Sequence, residues 1–164
     1  MSSSRRLVLA ALPLALAGCF RPMLASNTAA SELRGQVDLP RVDGRLGREL
    51  TIALERQLGR PVATPPYRLE VERELSERGV LVAEDNAITR VQLTAIARWR
   101  LYRRGEIEPV DRGVAISEAG FDETASLFAS RTTRRDVEER LARDLADRIA
   151  TRLLARADRY VVAG

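Results

Sequence analysis

Leucines recur every four residues in the first third of the chain, and apolar and charged side chains alternate through its middle. Leu46, Leu50, Leu54 and Leu58, with Ala53 beside them, share one side of a helical wheel. They predict an amphipathic helix of about four turns. Asp43 stands where a cap would open that helix, and Gly59 and Pro61 supply its stop. Ahead of it, Gln36 to Val42 alternates weakly and predicts a first strand. After it, Tyr67, Leu69, Val71, Arg73 and Leu75 alternate with Arg68, Glu70, Glu72 and Glu74, the pattern of a strand with one face in water. Val80-Leu81-Val82 extends that strand or begins another, and Asp85-Asn86 reads as a turn.

The cleanest strand runs from Thr89 to Tyr102. Val91, Leu93, Ala95, Ala97, Trp99 and Leu101 occupy one face, and Arg90, Gln92, Thr94, Arg98 and Arg100 the other, with Ile96 as the exception. Arg103-Arg104-Gly105-Glu106 is a hairpin turn. Val110, Val114 and Ile116 mark a return strand, interrupted by Arg112, and Gly120 to Asp122 reads as a loop. A long helix then starts between Thr124 and Thr133 and ends near Ala157. Val137, Leu141, Leu145, Ile149 and Leu153 form its stripe, thickened by Ala142, Ala146, Ala150 and Leu154. Asp144 and Arg148 have helix-stabilising spacing, and Glu138 pairs with Arg140. The order of elements predicts an α+β fold: a two-layer sandwich, two helices packed on a mainly antiparallel sheet of about four strands.

The first residues do not belong to that pattern. Met1 to Arg6 is polar with two arginines, and Leu7 to Ala17 is apolar, broken by Pro13. The run is too short to span a bilayer, which takes about 20 residues, and it fits the core of an export signal. It ends in Leu16-Ala17-Gly18-Cys19, which resembles the bacterial lipobox. Cleavage between Gly18 and Cys19 would leave Cys19, the only cysteine, as the lipidated residue and membrane anchor. More than one acyl chain is needed for stable anchoring. Phe20 follows it. An aspartate at that place favours inner-membrane retention in enteric bacteria, so by resemblance to that rule the expected location is the outer membrane, facing the periplasm. Residues 1–18 are thus expected as signal, 19–34 as lipidated start and tether, and 159–164 as a tail; Phe20 to Ala30 buries little.

Composition narrows the chemistry. The chain has 164 residues, with 27 basic and 23 acidic side chains and no histidine. Every basic residue is arginine; removing Arg5 and Arg6 with the signal leaves 25 against 23, a net charge of +2. Without histidine, Ser-His-Asp triads and the usual metal sets are excluded. With Cys19 lipidated there is no thiol nucleophile, and no glycine-rich phosphate loop is present. No cofactor and no enzymatic activity are expected. Arg98, Arg100, Arg103 and Arg104 form one candidate phosphate-binding group, since guanidinium groups bind phosphate bidentately. The alternative is a solubilising face paired with Glu70, Glu72 and Glu74. Arg131, Arg134 and Arg135 form a second group at the opening of the last helix, where cations oppose the helix dipole. Their alternative is pairing with Asp136, Glu138 and Glu139. Nucleic acid is not an expected partner of an exported, anchored chain.

Several segments resemble one family. Cys19-Phe20-Arg21-Pro22-Met23-Leu24 is similar to the mature start of lipopolysaccharide-assembly lipoproteins, the LptE family, especially alphaproteobacterial ones, although that family usually has glycine where Phe20 stands. Gly44-Arg45-Leu46-Gly47-Arg48-Glu49-Leu50 looks like its first-helix entry, and Tyr67-Arg68-Leu69-Glu70-Val71 like its second strand. Phe128-Ala129-Ser130-Arg131, Asp136 to Leu141 and Leu145 to Ile149 look like its final helix. The resemblance implies an LptE-like domain over 35–158 that plugs an LptD-type outer-membrane β-barrel. It also implies help in assembling that barrel and in delivering lipopolysaccharide, without catalysis. The basic residue tied to lipopolysaccharide binding in some members has no counterpart in Val80 to Ala87. The competing expectations are a lipoprotein subunit of an envelope lipid-transport ABC system and, third, a lipid-anchored hydrolase.

Overall fold

The computed structural model describes residues 28–82, 88–123 and 126–161, with side chains left undescribed over 80–89. The signal, Cys19, the first part of the tether, the Asp85-Asn86 turn and Val162 to Gly164 lie outside the described residues. In chain order the elements are α1 (Ala29–Leu33), β1 (Val37–Asp38), α2 (Gly44–Leu58), β2 (Tyr67–Val82), β3 (Ile88–Arg103), β4 (Pro109–Asp122) and α3 (Leu127–Ala155), closed by a 3-10 turn, Ala157–Arg159.

The strands lie in the order β1-β2-β3-β4. β1 runs parallel to β2, while β2, β3 and β4 are antiparallel. This is the two-layer α+β sandwich expected from the sequence, with a mixed four-stranded sheet. Strand alternation sets the core: Leu69, Val91, Leu93, Ala95, Ala97, Trp99, Leu101, Ala115 and Phe121 are buried on the inner face. The helices meet them with Leu46, Leu50, Leu54 and Leu58 from α2 and with the whole predicted stripe of α3, Val137 through Leu154. Each fully buried leucine of that stripe contributes roughly 1.5–3 kcal/mol by burial, so packing rather than helix propensity holds the layers together.

Several expectations of extent and facing are corrected. Residues 29–34 do not trail as a tether: Thr28 and Ser31 form a reciprocal cap for α1, and Ala30 and Leu33 are buried. The β1 segment shrinks to two residues, because after Asp38 the chain leaves β2 to enter α2. Gly120 to Asp122 is strand, not loop, since β3 is long enough to pair them and Phe121 fills the inner face opposite Val91. Val114 and Ile116 belong to β4 but point outward, 55% and 50% exposed, while the small residues Ala115 and Ser117 face in. The apolar marks on this strand are out of phase with burial. The chain end also packs further than expected: Tyr160 is buried at 2% exposure.

Local chemistry explains the turns. Gly59 closes α2 at φ +82, and Gly105 takes φ +85 in the β3–β4 turn, a left-handed region open to glycine. Glu106 N–H donates to the Arg103 carbonyl at 3.0 Å, so the predicted hairpin turn is present. Val80-Leu81-Val82 extends β2 rather than starting a new strand.

Candidate functional site

The seven candidate arginines fall in three separate places. Arg98 and Arg100 project from the outer sheet face, as alternation demands. Each reaches diagonally to a β2 carboxylate: Arg98 Nη1 to Glu74 Oε2 at 3.2 Å and Arg100 Nη1 to Glu72 Oε1 at 2.7 Å. Arg68 pairs with Glu70 at 3.1 Å and lies 5.2 Å over the Tyr102 ring. The bond to Glu72 holds Arg100 still more firmly protonated. This face is a matched lattice of both signs rather than an open cationic surface. Beside it, Ser76, Glu77, Arg78, Gln92, Thr94 and Glu118 line a depression of about 310 Å³. Two carboxylates against one guanidinium make that depression a poor host for phosphate.

Arg103 and Arg104 do not extend the outer face. Arg103 lies on the inward phase of β3, and its Nη2 donates to the Tyr160 carbonyl at 3.3 Å, while Nη1 meets Glu106 at 3.4 Å. Arg104 Nε donates to the Pro65 carbonyl at 2.9 Å. Both fasten the β3–β4 turn to neighbouring chain. The same corner holds a polar cluster that the sequence did not suggest. Tyr160 Oη donates to Asp111 Oδ2 at 2.5 Å, Tyr67 Oη donates to the Tyr160 carbonyl at 2.6 Å, and Arg156 Nη1 meets Asp111 at 3.3 Å. Burial opposes the Asp111 charge, but the bonds from Tyr160, the Arg112 amide and Arg156 outweigh it and lower its pKa. Burial first, and then the Asp111 carboxylate, raise the pKa of Tyr160.

The third place is the start of α3. Ser126 caps it, its Oγ accepting from the Ala129 amide at 3.4 Å. The helix therefore begins before Arg131, which sits in the second turn, where the dipole term has faded. Arg134 is tied to β2 through Glu77 at 2.6 Å and to Glu138 at 3.3 Å. Those bonds, with Glu77 foremost, keep it protonated. Glu138 is thus joined to Arg134, not to Arg140. Arg131 and Arg135 are exposed and make no ion pair among the described residues. On the same outward side Phe128 is 82% exposed, and Leu127 is 75% exposed beside it. The spacing Phe128, Arg131, Arg135 places one aromatic ring and two unpaired guanidinium groups on one helix face. This exposed apolar pair is the functional feature missed from the sequence; helical phase puts Phe128 in line with Ala142, Ala146 and Ile149, so the pattern gave no sign of its exposure.

Among the described residues no three His, Cys, Asp or Glu side chains converge as metal ligands. No described helix is long and apolar enough to cross a membrane. The lipopolysaccharide-assembly family LptE matches residues 28–153. The chain belongs to the LptE family. Its part in the cell is therefore in lipopolysaccharide assembly. Solved structures carry the same fold. A lipoprotein candidate from Caulobacter crescentus CB15 is 24% identical with a TM-score of 0.63, covering 79% of this chain and 95% of its own. Rare lipoprotein B from Shewanella oneidensis is 13% identical with a TM-score of 0.57, covering 73% and 94%. A minor lipoprotein from Acinetobacter baumannii is 17% identical with a TM-score of 0.54, covering 73% and 89%. No curated protein sequence matches this LptE-family chain significantly.

Proposed function

We propose that this chain is an outer-membrane lipoprotein that partners an LptD-type β-barrel in assembling lipopolysaccharide at the cell surface. In this reading it is exported, cleaved between Gly18 and Cys19, and anchored through lipid on Cys19. Its domain serves as a plug in the barrel lumen and as an assembly factor for the barrel, and it catalyses no reaction. Family membership over residues 28–153 carries the proposal. The outer sheet face supports it physically: a barrel lumen is polar, and a surface of alternating arginine and carboxylate suits contact with such a wall.

Within that role, lipopolysaccharide binding is assigned to the start of α3. An anionic amphiphile needs cations for phosphate and an apolar surface for acyl chain, and Arg131, Arg135, Phe128 and Leu127 supply both together. Arg98 and Arg100 are neutralised by Glu74 and Glu72, and Arg103 and Arg104 are occupied with backbone carbonyls. The test is depletion of the chain combined with its purification from membranes. Loss of surface lipopolysaccharide and recovery of a stable complex with a large outer-membrane barrel are the expected results. Recovery of an ABC permease in place of the barrel would sink the proposal and favour an envelope lipid-transport subunit.

A further inference from the structure

The outer face of the sheet is built in two unlike halves. Between β2 and β3 it sets opposite charges in register, and Arg98 and Arg100 find Glu74 and Glu72 there. Between β3 and β4 the same face turns apolar. Ile116 stands directly opposite Ile96, and Val114 opposite Arg98. The Arg112 amide turns away from β3 to Asp111 Oδ1 at 2.7 Å. The even-numbered β4 positions are therefore the non-hydrogen-bonded ones, where facing side chains stand closest. Ile96, Val114 and Ile116 form one continuous strip, and the last two are half-exposed. The core has no use for them, since Gly113, Ala115 and Ser117 take the inward positions. Branched apolar side chains clustered outside the core mark a contact surface. One end of the strip is cationic and unmatched. Arg112 is exposed and stands directly opposite Arg100, an arrangement that repels on a sheet. Arg100 has Glu72, but the Arg112 guanidinium has no carboxylate among the described residues. Its neighbour Asp111 is taken by Arg156 and Tyr160. The other end is satisfied, because Glu118 accepts from Gln92 at 3.1 Å and from Thr94 at 3.4 Å.

We propose that this strip is a docking surface for the partner barrel, which covers it with apolar side chains and sets one carboxylate against Arg112. The inference rests on the plug reading and adds to it a face and a chemistry. A barrel lumen is polar as a rule. The charge-matched half of the sheet suits such a wall, but Val114 and Ile116 do not. Water or charge opposite them would leave their apolar surface uncovered. The wall opposite β4 therefore departs from the rule, with apolar residues at the strip and an acidic one beside Arg112. Interface cores are built in this way, with apolar contact inside and charge pairs toward the rim. A phosphorylated lipid is the poorer match. It would lie along a strip that offers one guanidinium and ends at the Glu118 carboxylate.

The test is photocrosslinking in intact cells from p-benzoylphenylalanine placed at Val114 or Ile116 of the full-length chain, with the joined peptide identified by mass spectrometry. Crosslinks to an LptD-type barrel are expected, at apolar residues close to an aspartate or glutamate. Recovery of the barrel complex is then measured for charge variants, each checked by far-UV circular dichroism. Arg112→Glu sets two carboxylates together and should lower recovery about tenfold or more. Arg112→Lys keeps the charge and should retain most of it. Val114→Asp combined with Ile116→Asp leaves the inward face untouched, so the fold should survive while the complex is lost. A parent chain that recovers no barrel would sink the plug reading and this inference together. A parent that recovers the barrel while both probes join only lipopolysaccharide, or nothing, would overturn this inference alone. So would a joined peptide without a carboxylate, or a complex indifferent to Arg112→Glu.

Discussion

Trp99 on β3 and Gly113 on β4 stand opposite one another with no room for a side chain between them. A Cβ on Gly113 would lie 2.7 Å from Trp99 Cζ2 and 2.9 Å from Cε2. The Arg152 guanidinium lies 5.6 Å from the ring. Gly113→Ala therefore overpacks a rigid site and should destabilise the fold by about 1–3 kcal/mol. Urea denaturation followed by the fluorescence of the single tryptophan reports both the destabilisation and any shift of the ring. An unchanged midpoint and spectrum would mean that the indole moves aside freely.

The Tyr160–Asp111 hydrogen bond is the second stability prediction. Tyr160→Phe removes a bond to a charged acceptor and should cost about 1.5–3 kcal/mol. The pH dependence has a definite sign. The folded-state pKa of Asp111 is lowered, so its contribution is full above the ordinary carboxylate range near pH 4 and fades as pH falls through the folded value. The pKa of Tyr160 is raised, so its contribution is full below the ordinary phenol range near pH 10 and fades as pH rises through the folded value. Stability curves of parent and Tyr160→Phe should converge at acid and alkaline extremes; a constant gap at every pH would contradict this assignment.

For ligand binding the two arginine groups make opposite predictions. Replacing Arg131 and Arg135 together by alanine should weaken lipopolysaccharide binding tenfold or more, at about 1.5–3 kcal/mol for each charge-assisted hydrogen bond removed. Replacing Arg98 and Arg100 should change it little, because their carboxylate partners already neutralise them. Titration of purified variants with lipopolysaccharide separates the outcomes, and the reverse ranking would move the site to the outer sheet face.

Arg134→Ala serves as the control between these classes. It breaks the ties to Glu77 and Glu138, of which the Glu77 pair is about 40% exposed on each side and Glu138 only 13% exposed. Solvent screening limits the cost to about 0–1 kcal/mol. A thermal melt showing a much larger drop would mark this bridge as a clamp between β2 and α3.

Cys19→Ser tests the anchoring proposal. The variant should lose acylation, read as a mass shift, and should leave the membrane fraction while its circular dichroism stays that of the parent. Normal membrane fractionation of the unacylated chain would count against Cys19 as the anchor.

Periodic burial made most of this fold legible in advance. The α2 leucines, the β3 alternation and the α3 stripe each repeat with the period of one element and one core face. β4 failed that logic because its inner face sits close under α3 and Trp99, where only Gly113, Ala115 and Ser117 fit, so its larger apolar residues were left outside. α1 was hidden because five residues carry too little period to read, and their order comes from a reciprocal cap and two buried side chains. The arginines were legible as exposed charges but not as partners. Whether a guanidinium is free depends on which carboxylate the register brings within reach, as Glu74 and Glu77 demonstrate.

α1 holds the first described residues against the 3-10 turn and the end of α3, at the pole occupied by the β3–β4 turn. Phe128, Arg131 and Arg135 sit at the other end of α3, and its 29 residues span about 43 Å at 1.5 Å per residue. The domain is a strut, with α1 at one pole and the exposed Phe128, Arg131 and Arg135 at the other. Its length exceeds the hydrocarbon thickness of a bilayer, about 30 Å. Under the anchoring proposed through Cys19, that far pole would stand well away from the membrane surface holding the chain.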